Sequence, residues 1–154
     1  MKNAKFYVYK AIKEIINQEK IKSPPGFSKI SERYFTKNNL IKRTNLLTAL
    51  FKLCEIDKNK SLKILDIGPS EGIIPRALNM MGHNVQLLEH HHLYGMHKKI
   101  YNEYYKPLKT KYCVLEKGNF PYKDNSFDLI ISFGVIEHIE PPTKNFWDEI
   151  YRIT

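Results

Sequence analysis

The chain has 154 residues, 42% of them hydrophobic, and a formal net charge of +9. That length suits one ordinary domain with a real core, and the apolar content argues against a disordered chain. No stretch approaches the roughly 18 consecutive apolar residues of a membrane span, and from Met1 to Lys20 lysines alternate with Phe6, Val8, Ile12, Ile15 and Ile16, unlike the continuous apolar core of a secretory leader.

A cytoplasmic setting is therefore expected. Cys54 and Cys113 have neither CxxC spacing nor a partnering histidine pattern, and read as reduced, packed thiols. The positive charge makes nucleic acid a possible partner. Its densest runs are Lys98, Lys99, Lys106, Lys109 and Lys111, then Lys2, Lys5, Lys10 and Lys13. A lysine-rich solvated surface is the simpler explanation, and charge alone names no partner.

In chain order, Lys5 to Gln18 places Val8, Ile12, Ile15 and Ile16 on one side of a helix. Ser23-Pro24-Pro25-Gly26 then breaks the pattern. A second helix is expected from about Asn39 to Glu55, with Leu47, Leu50, Phe51 and Cys54 at i, i+3, i+4 and i+7. Residues 1–60 form a helical extension, either packed on the outside of a sheet or closing as a cap over a ligand. Residues 61–154 form the core.

That core opens on Lys63-Ile64-Leu65-Asp66-Ile67-Gly68-Pro69-Ser70-Glu71-Gly72-Ile73-Ile74-Pro75-Arg76-Ala77-Leu78. A short apolar run ends in a glycine-flanked turn and gives way to a helical pattern. A loop so placed lies at the carboxyl end of a buried parallel strand and beside the free N–H groups and positive dipole end of a helix. The Asp-x-Gly-x-x-x-Gly spacing differs from the dinucleotide fingerprint, because the acid precedes the first glycine. It resembles motif I of the class I S-adenosylmethionine (SAM) dependent methyltransferases, with Ser70 where the usual second glycine stands. The resemblance implies that Asp66, Gly68, Pro69, Ser70 and Gly72 frame the methionine end of SAM.

Gly82-His83-Asn84 ends the helix, and Val85 to Glu89 reads as a second strand finishing on an acid. A carboxylate about 20 residues beyond such a loop hydrogen-bonds ribose hydroxyls in nucleotide-binding α/β units, which makes Glu89 the ribose ligand. His90, His91, His92 and His97 have poor chelating spacing, so no metal is expected. Tyr94 to Tyr105 reads as a helix whose tyrosines and lysines either pack or meet RNA or carbohydrate.

Lys111 to Glu116 reads as a third strand, giving a βαβαβ order and a parallel sheet. After the turn Asp124-Asn125-Ser126, Phe127 to Phe133 reads as a strand buried on both faces, followed by Gly134-Val135-Ile136-Glu137-His138. The stretch from Gly118 to Ile139 resembles the methyltransferase type 11 pattern, and with Phe146 to Ile153 the resemblance runs over Leu62–Ile153. It implies an α/β, Rossmann-like three-layer sandwich with a mostly parallel sheet in the order 3-2-1-4, preceded by N-terminal helices. It also places Asn119 and Phe120 near the adenine, and Ser132, Phe133 and Gly134 along the cofactor.

The implied activity is methyl transfer from SAM to an acceptor, with a small molecule, lipid or sugar favoured. His138 or Glu137 could serve as base where the acceptor must lose a proton, or simply make a helix-start contact. The family's sheet continues past its fourth strand, so the chain is expected to be truncated, with an open sheet edge that invites a second copy or a partner. Two alternatives stay open: a noncatalytic SAM-fold binding module completed by a partner, and an RNA methyltransferase.

Overall fold

The computed structural model describes residues 3–22, 36–54, 56, 60–70, 72–90, 108–139 and 144–154. They form helices α1 (Ala4–Lys22) and α2 (Lys37–Leu53), strand β1 (Lys63–Ile67), helix α3 (Ile73–Met80), strands β2 (Asn84–His90), β3 (Lys109–Cys113) and β4 (Leu129–Ile131), and helix α4 (Lys144–Ile153). The strands are all parallel, in the order β3-β2-β1-β4. The fold is the expected Rossmann-like α/β sandwich.

The central strand follows from its composition. Ile64, Leu65, Asp66 and Ile67 are all buried, and their alternation sends successive side chains to opposite faces. Ile64 joins a core with Val8, Ala11, Ile15 and Leu47 of α1 and α2, Ile74, Ala77 and Leu78 of α3, and Leu87 of β2. Leu65 and Ile67 face the other way, into a core with Leu88, Leu115, Phe120, Phe127, Phe146 and Ile153 beneath α4. Each fully buried aliphatic side chain contributes about 1.5–3 kcal/mol, so these two clusters on either side of β1 hold the layers together.

The N-terminal helices are tied to the core by more than apolar contact. Arg76 of α3 is only 1% exposed, and its guanidinium meets Glu14 of α1 at 3.5 Å. Burial pushes the arginine's pKa below its ordinary value and the glutamate opposes that shift. Helix α2 starts where Thr36 accepts a hydrogen bond from the Asn39 N–H at 3.3 Å. Helix α3 ends in a Schellman motif: Gly82, at φ +100°, donates to Asn79, and His83 donates to Leu78 at 3.2 Å.

Three expectations need correction. The third strand starts at Lys109 and stops at Cys113, because Leu115–Lys117 winds into a 3₁₀ turn that buries Leu115 and leads to Gly118 at φ +70°. The fourth strand is only Leu129–Ile131. Before it, the Ser126 and Phe127 N–H groups donate to Ile153 at the end of α4 instead of joining the sheet. Leu129 and Ile130 are half-buried, because among the described residues β4 pairs with β1 alone. The last correction concerns the thiols. Cys54 caps the end of α2 and is exposed, whereas Cys113 is half-buried and burial, with Glu116 and Glu149 nearby, pushes its thiol up to about 12. Ser23 to Gly26, Tyr94 to Tyr105, Lys106 and the histidines 91, 92 and 97 lie outside the described residues.

Arg152 of α4 fastens the loop before β4. Its Nε and Nη2 donate to the two carboxylate oxygens of Glu149, each at 2.7 Å. Its Nη1 donates to Asp124 and to the Tyr122 carbonyl, both at 2.8 Å. Hydrogen bonds to charged groups contribute about 1.5–3 kcal/mol, less where water screens them. Arg152→Ala is therefore expected to lower stability by about 2–3 kcal/mol, read as a drop in denaturant midpoint at unchanged slope. Arg152→Lys will recover little, because an ammonium lacks the planar fork.

His83 is 5% exposed, and its Nδ1 accepts the Leu62 N–H at 3.3 Å. Burial lowers its pKa from the ordinary value, so the unfolded chain takes up a proton more readily than the folded one. Stability is then intact above the unfolded pKa of about 6.5 and lost as pH falls through it. The melting temperature is expected to fall between about pH 7 and pH 5, and His83→Gln to lack that slope.

Candidate functional site

Sheet order reverses at β1: β2 and β3 lie on one side, β4 on the other. The carboxyl ends of β1 and β4 therefore diverge into a crevice, the place where open α/β sheets take their ligands. The chain leaving β1 is built for close approach. Gly68, Ser70 and Gly72 all have positive φ, +67°, +53° and +72°. The Gly68 N–H donates to the Leu88 carbonyl at 2.9 Å, carrying the ladder one residue past β1. Gly72 caps α3 without any side-chain hydrogen bond, so the first amides of that helix face the loop.

From the β4 side, Val135 closes in on this loop. A Cβ built on Gly68 would lie 2.2 Å from Val135 Cγ2. The contact explains the glycine twice over, by φ and by space. Between the two chain segments sits a small cavity lined by Arg43, Asp66, Gly68, Pro69, Ser70, Ile73, Ile74 and Phe133. With these side chains as they stand it has room for about one water molecule, about 10 Å³.

Its electrostatics are unusual. Asp66 is 2% exposed. Burial, reinforced by the charge of Glu89, raises its pKa well above the ordinary carboxylate range, and Arg43 acts against that rise. Glu89 is itself 3% exposed, at the end of β2, and accepts the His90 N–H at 2.9 Å. Two acids and one guanidinium thus meet at the carboxyl ends of adjacent strands. Just after β4, the Ser132 hydroxyl is buried with no hydrogen-bond partner among the described residues. Groups of this kind persist where a ligand or a reaction uses them.

The residues singled out from the sequence do not all converge. Asp66, Gly68, Pro69, Ser70 and Phe133 line the cavity, with Gly72 behind them at the start of α3. Glu89 stands beside it, coupled to Asp66. Ser132 precedes Phe133 at the end of β4, and Gly134 is exposed after it. Phe120 is instead 3% exposed and stacks edge-on against Phe146 at 5.6 Å, in the core under α4, with Asn119 exposed beside it. Glu137 and His138 are exposed in the 3₁₀ turn Ile136–His138.

The methyltransferase domain family model matches residues 65–154, more than half of the chain, and spans every element that builds this crevice except α2. The chain belongs to the methyltransferase domain family. Solved structures agree on the fold. A candidate methyltransferase from an antibiotic biosynthesis pathway of Anabaena variabilis aligns with a TM-score of 0.54 and 22% identity, over 71% of this chain and 41% of its own. A candidate SAM-dependent methyltransferase of Methanococcus maripaludis gives 0.50 and 21%, over 70% and 48%. A protein of Pyrococcus horikoshii gives 0.54 and 22%, over 78% and 57%. This methyltransferase-family chain thus spans about half the length of the structures it resembles. No curated protein matches it significantly.

Arg43 is the site residue that sequence reading missed. It lies on the face of α2 that carries the buried Leu47 and Leu50, at i+4 and i+7 from it, with half-buried Leu40 one turn earlier. A cation in an apolar stripe was the available signal, and among the many lysines around it nothing made it stand out.

Proposed function

We propose that this chain carries the SAM-binding half of a methyltransferase acting on a small molecule, lipid or sugar. The observation that carries the reading is the pairing of opposite charges across one glycine loop. Asp66 and Arg43 flank Gly68, Pro69 and Ser70, and the methionine end of SAM is a zwitterion whose ammonium and carboxylate such a pair can receive. The start of α3, which Gly72 leaves without a side-chain cap, offers a further partner of the kind the tail needs. For the tail to enter, Arg43 and Phe133 must draw back from the space they now fill.

When bound, SAM supplies an electrophilic methyl group on a sulfonium. The chain's own share is to fix that end of the donor in one orientation, exclude water and present the crevice to the acceptor. Asp66 would meet the ammonium and Arg43 the carboxylate, the loop from Gly68 to Ser70 and the start of α3 at Ile73 would border the tail, and Glu89 would accept from the ribose. Glu137 and His138, exposed on the turn that follows β4, stand on the acceptor side, where either can take a proton from a hydroxyl or amine.

Titration calorimetry with SAM and with S-adenosylhomocysteine tests this reading. Binding is expected for the wild type, and Glu89→Gln should weaken both ligands roughly ten-fold or more, the loss of a charge-assisted hydrogen bond. A folded protein that gives no heat with either ligand would favour the noncatalytic module.

A further inference from the structure

The net positive charge is not spread evenly through the molecule. Residues 1–60 hold 14 of the 25 lysines and arginines but only 5 of the 16 acids, whereas residues 61–154 hold 11 of each. The whole net charge of +9 therefore resides in the part of the chain that carries α1 and α2.

On those helices it faces outward. Lys5, Lys10 and Lys13 of α1 are exposed, as are Lys37, Lys42 and Lys52 of α2. Among the described side chains of the two helices the one acid is Glu14, which is half-exposed and pairs with Arg76 at 3.5 Å. Six exposed lysines thus stand against a single acid that is already engaged. Apolar side chains share that surface: Phe6 is 37% exposed, Tyr9 47%, Ile41 46% and Leu53 83%. Phe6, Tyr9 and Lys13 follow one another on a single face of α1, with the Lys13 ammonium 4.8 Å from the centre of the Tyr9 ring. Phe6 and Tyr9, with Asn3, Lys5 and Leu40 of α2, border an open groove of about 400 Å³ where the two helices meet.

We propose that this outer face of α1 and α2 docks on a membrane surface rich in anionic lipid. Two features favour a bilayer over nucleic acid. Among the described side chains of the two helices the exposed cations are all lysines, which act as point charges toward lipid headgroups and can snorkel upward while their stems lie on apolar material. Bidentate reading of a phosphate backbone or of bases calls instead on arginine, and Arg43 faces the internal cavity. The second feature is the company they keep. Aliphatic Ile41 and Leu53 cannot stack on a base as an aromatic ring does, but they and Phe6 gain by entering the boundary between headgroups and acyl chains. Lysine and apolar side chains mixed on one helical surface are the arrangement that combines the two attractions.

The inference stands apart from SAM binding and is tested without it. The full chain is sedimented with vesicles of phosphatidylglycerol and phosphatidylcholine, and with vesicles of phosphatidylcholine alone. Binding is expected only to the first and should fall steeply with added salt. The combined variant Lys5→Glu, Lys10→Glu, Lys13→Glu should lose binding by at least about 100-fold, at about five-fold per lysine. Phe6→Ser with Tyr9→Ser should lose about ten-fold, since insertion as well as charge is invoked. All five residues are exposed, so the helical circular dichroism of both variants is expected to match the wild type. Equal binding to neutral vesicles, no binding to anionic ones, or indifference to either set of substitutions overturns the proposal. So does a single-stranded RNA that strips the chain from the vesicles at equal charge concentration, which would assign the face to nucleic acid.

Discussion

Gly68→Ala is expected to lower stability by about 2–5 kcal/mol and to abolish measurable SAM binding. Two independent costs add. An alanine held at φ +67° pays about 1–2 kcal/mol for the left-handed conformation. Its Cβ also lands 2.2 Å from one Val135 methyl carbon and 3.0 Å from the other, so rotation of that side chain does not clear the clash. Either the loop after β1 or the chain after β4 must retreat, and overpacking of this kind costs about 1–3 kcal/mol. Since Gly68, Pro69 and Ser70 line the cavity proposed to take the ligand, a shift of either segment removes the binding geometry as well as the stability. Adding Val135→Ala to the same chain should return about half of the lost stability, the part due to packing, and none of the part due to φ. An unchanged melting temperature for the single variant would show that the loop has room the structure denies it.

Much of this crevice was readable in the residues. An acid before two glycines announced the strand, turn and helix, and β1 is a buried strand followed by three positive-φ residues. The sheet order came with the family resemblance, and the strands do lie in the order β3-β2-β1-β4. What could not be read was set by packing between distant segments. Phe127 to Phe133 has the apolar run of a central strand, yet the end of α4 claims the Ser126 and Phe127 amides and leaves three residues for the sheet. Phe120 had a position in the family pattern near the adenine, but the ring packs with Phe146 while its N–H donates to Glu149 at 2.6 Å. Arg43 reaches the crevice from a helix more than twenty positions upstream of Asp66, a distance across which no local pattern operates.

Asp66→Asn is expected to move stability and ligand binding in opposite directions. In the folded chain the carboxyl is buried and set beside Glu89, so its pKa lies well above the ordinary value near 3.8. The folded state therefore holds the proton at pH values where the unfolded chain has lost it. Stability from this group is complete below the unfolded pKa and is lost as pH rises through the folded one. At neutral pH the unliganded protein bears that cost, with Arg43 offsetting part of it. Asparagine keeps the shape and removes the charge, so the unliganded variant should melt higher than the wild type at about pH 7 and lose its advantage below about pH 4. The same change takes away the acceptor for the ammonium of SAM, and affinity should fall roughly ten- to one-hundred-fold. Arg43→Gln separates the two functions of the carboxylate. It removes a cation that opposes the rise, so it should destabilise the unliganded fold, and it should weaken S-adenosylhomocysteine far more than 5′-methylthioadenosine, which has no carboxylate to lose. An Asp66→Asn chain that binds SAM like the wild type would place the ammonium elsewhere, and one that melts lower across the whole pH range would make Asp66 an anchor for Arg43 and nothing more. The split expected here, a costly buried acid retained because a cation completes it, is the form that a stability–function trade-off takes in a cleft built at the end of two adjacent strands.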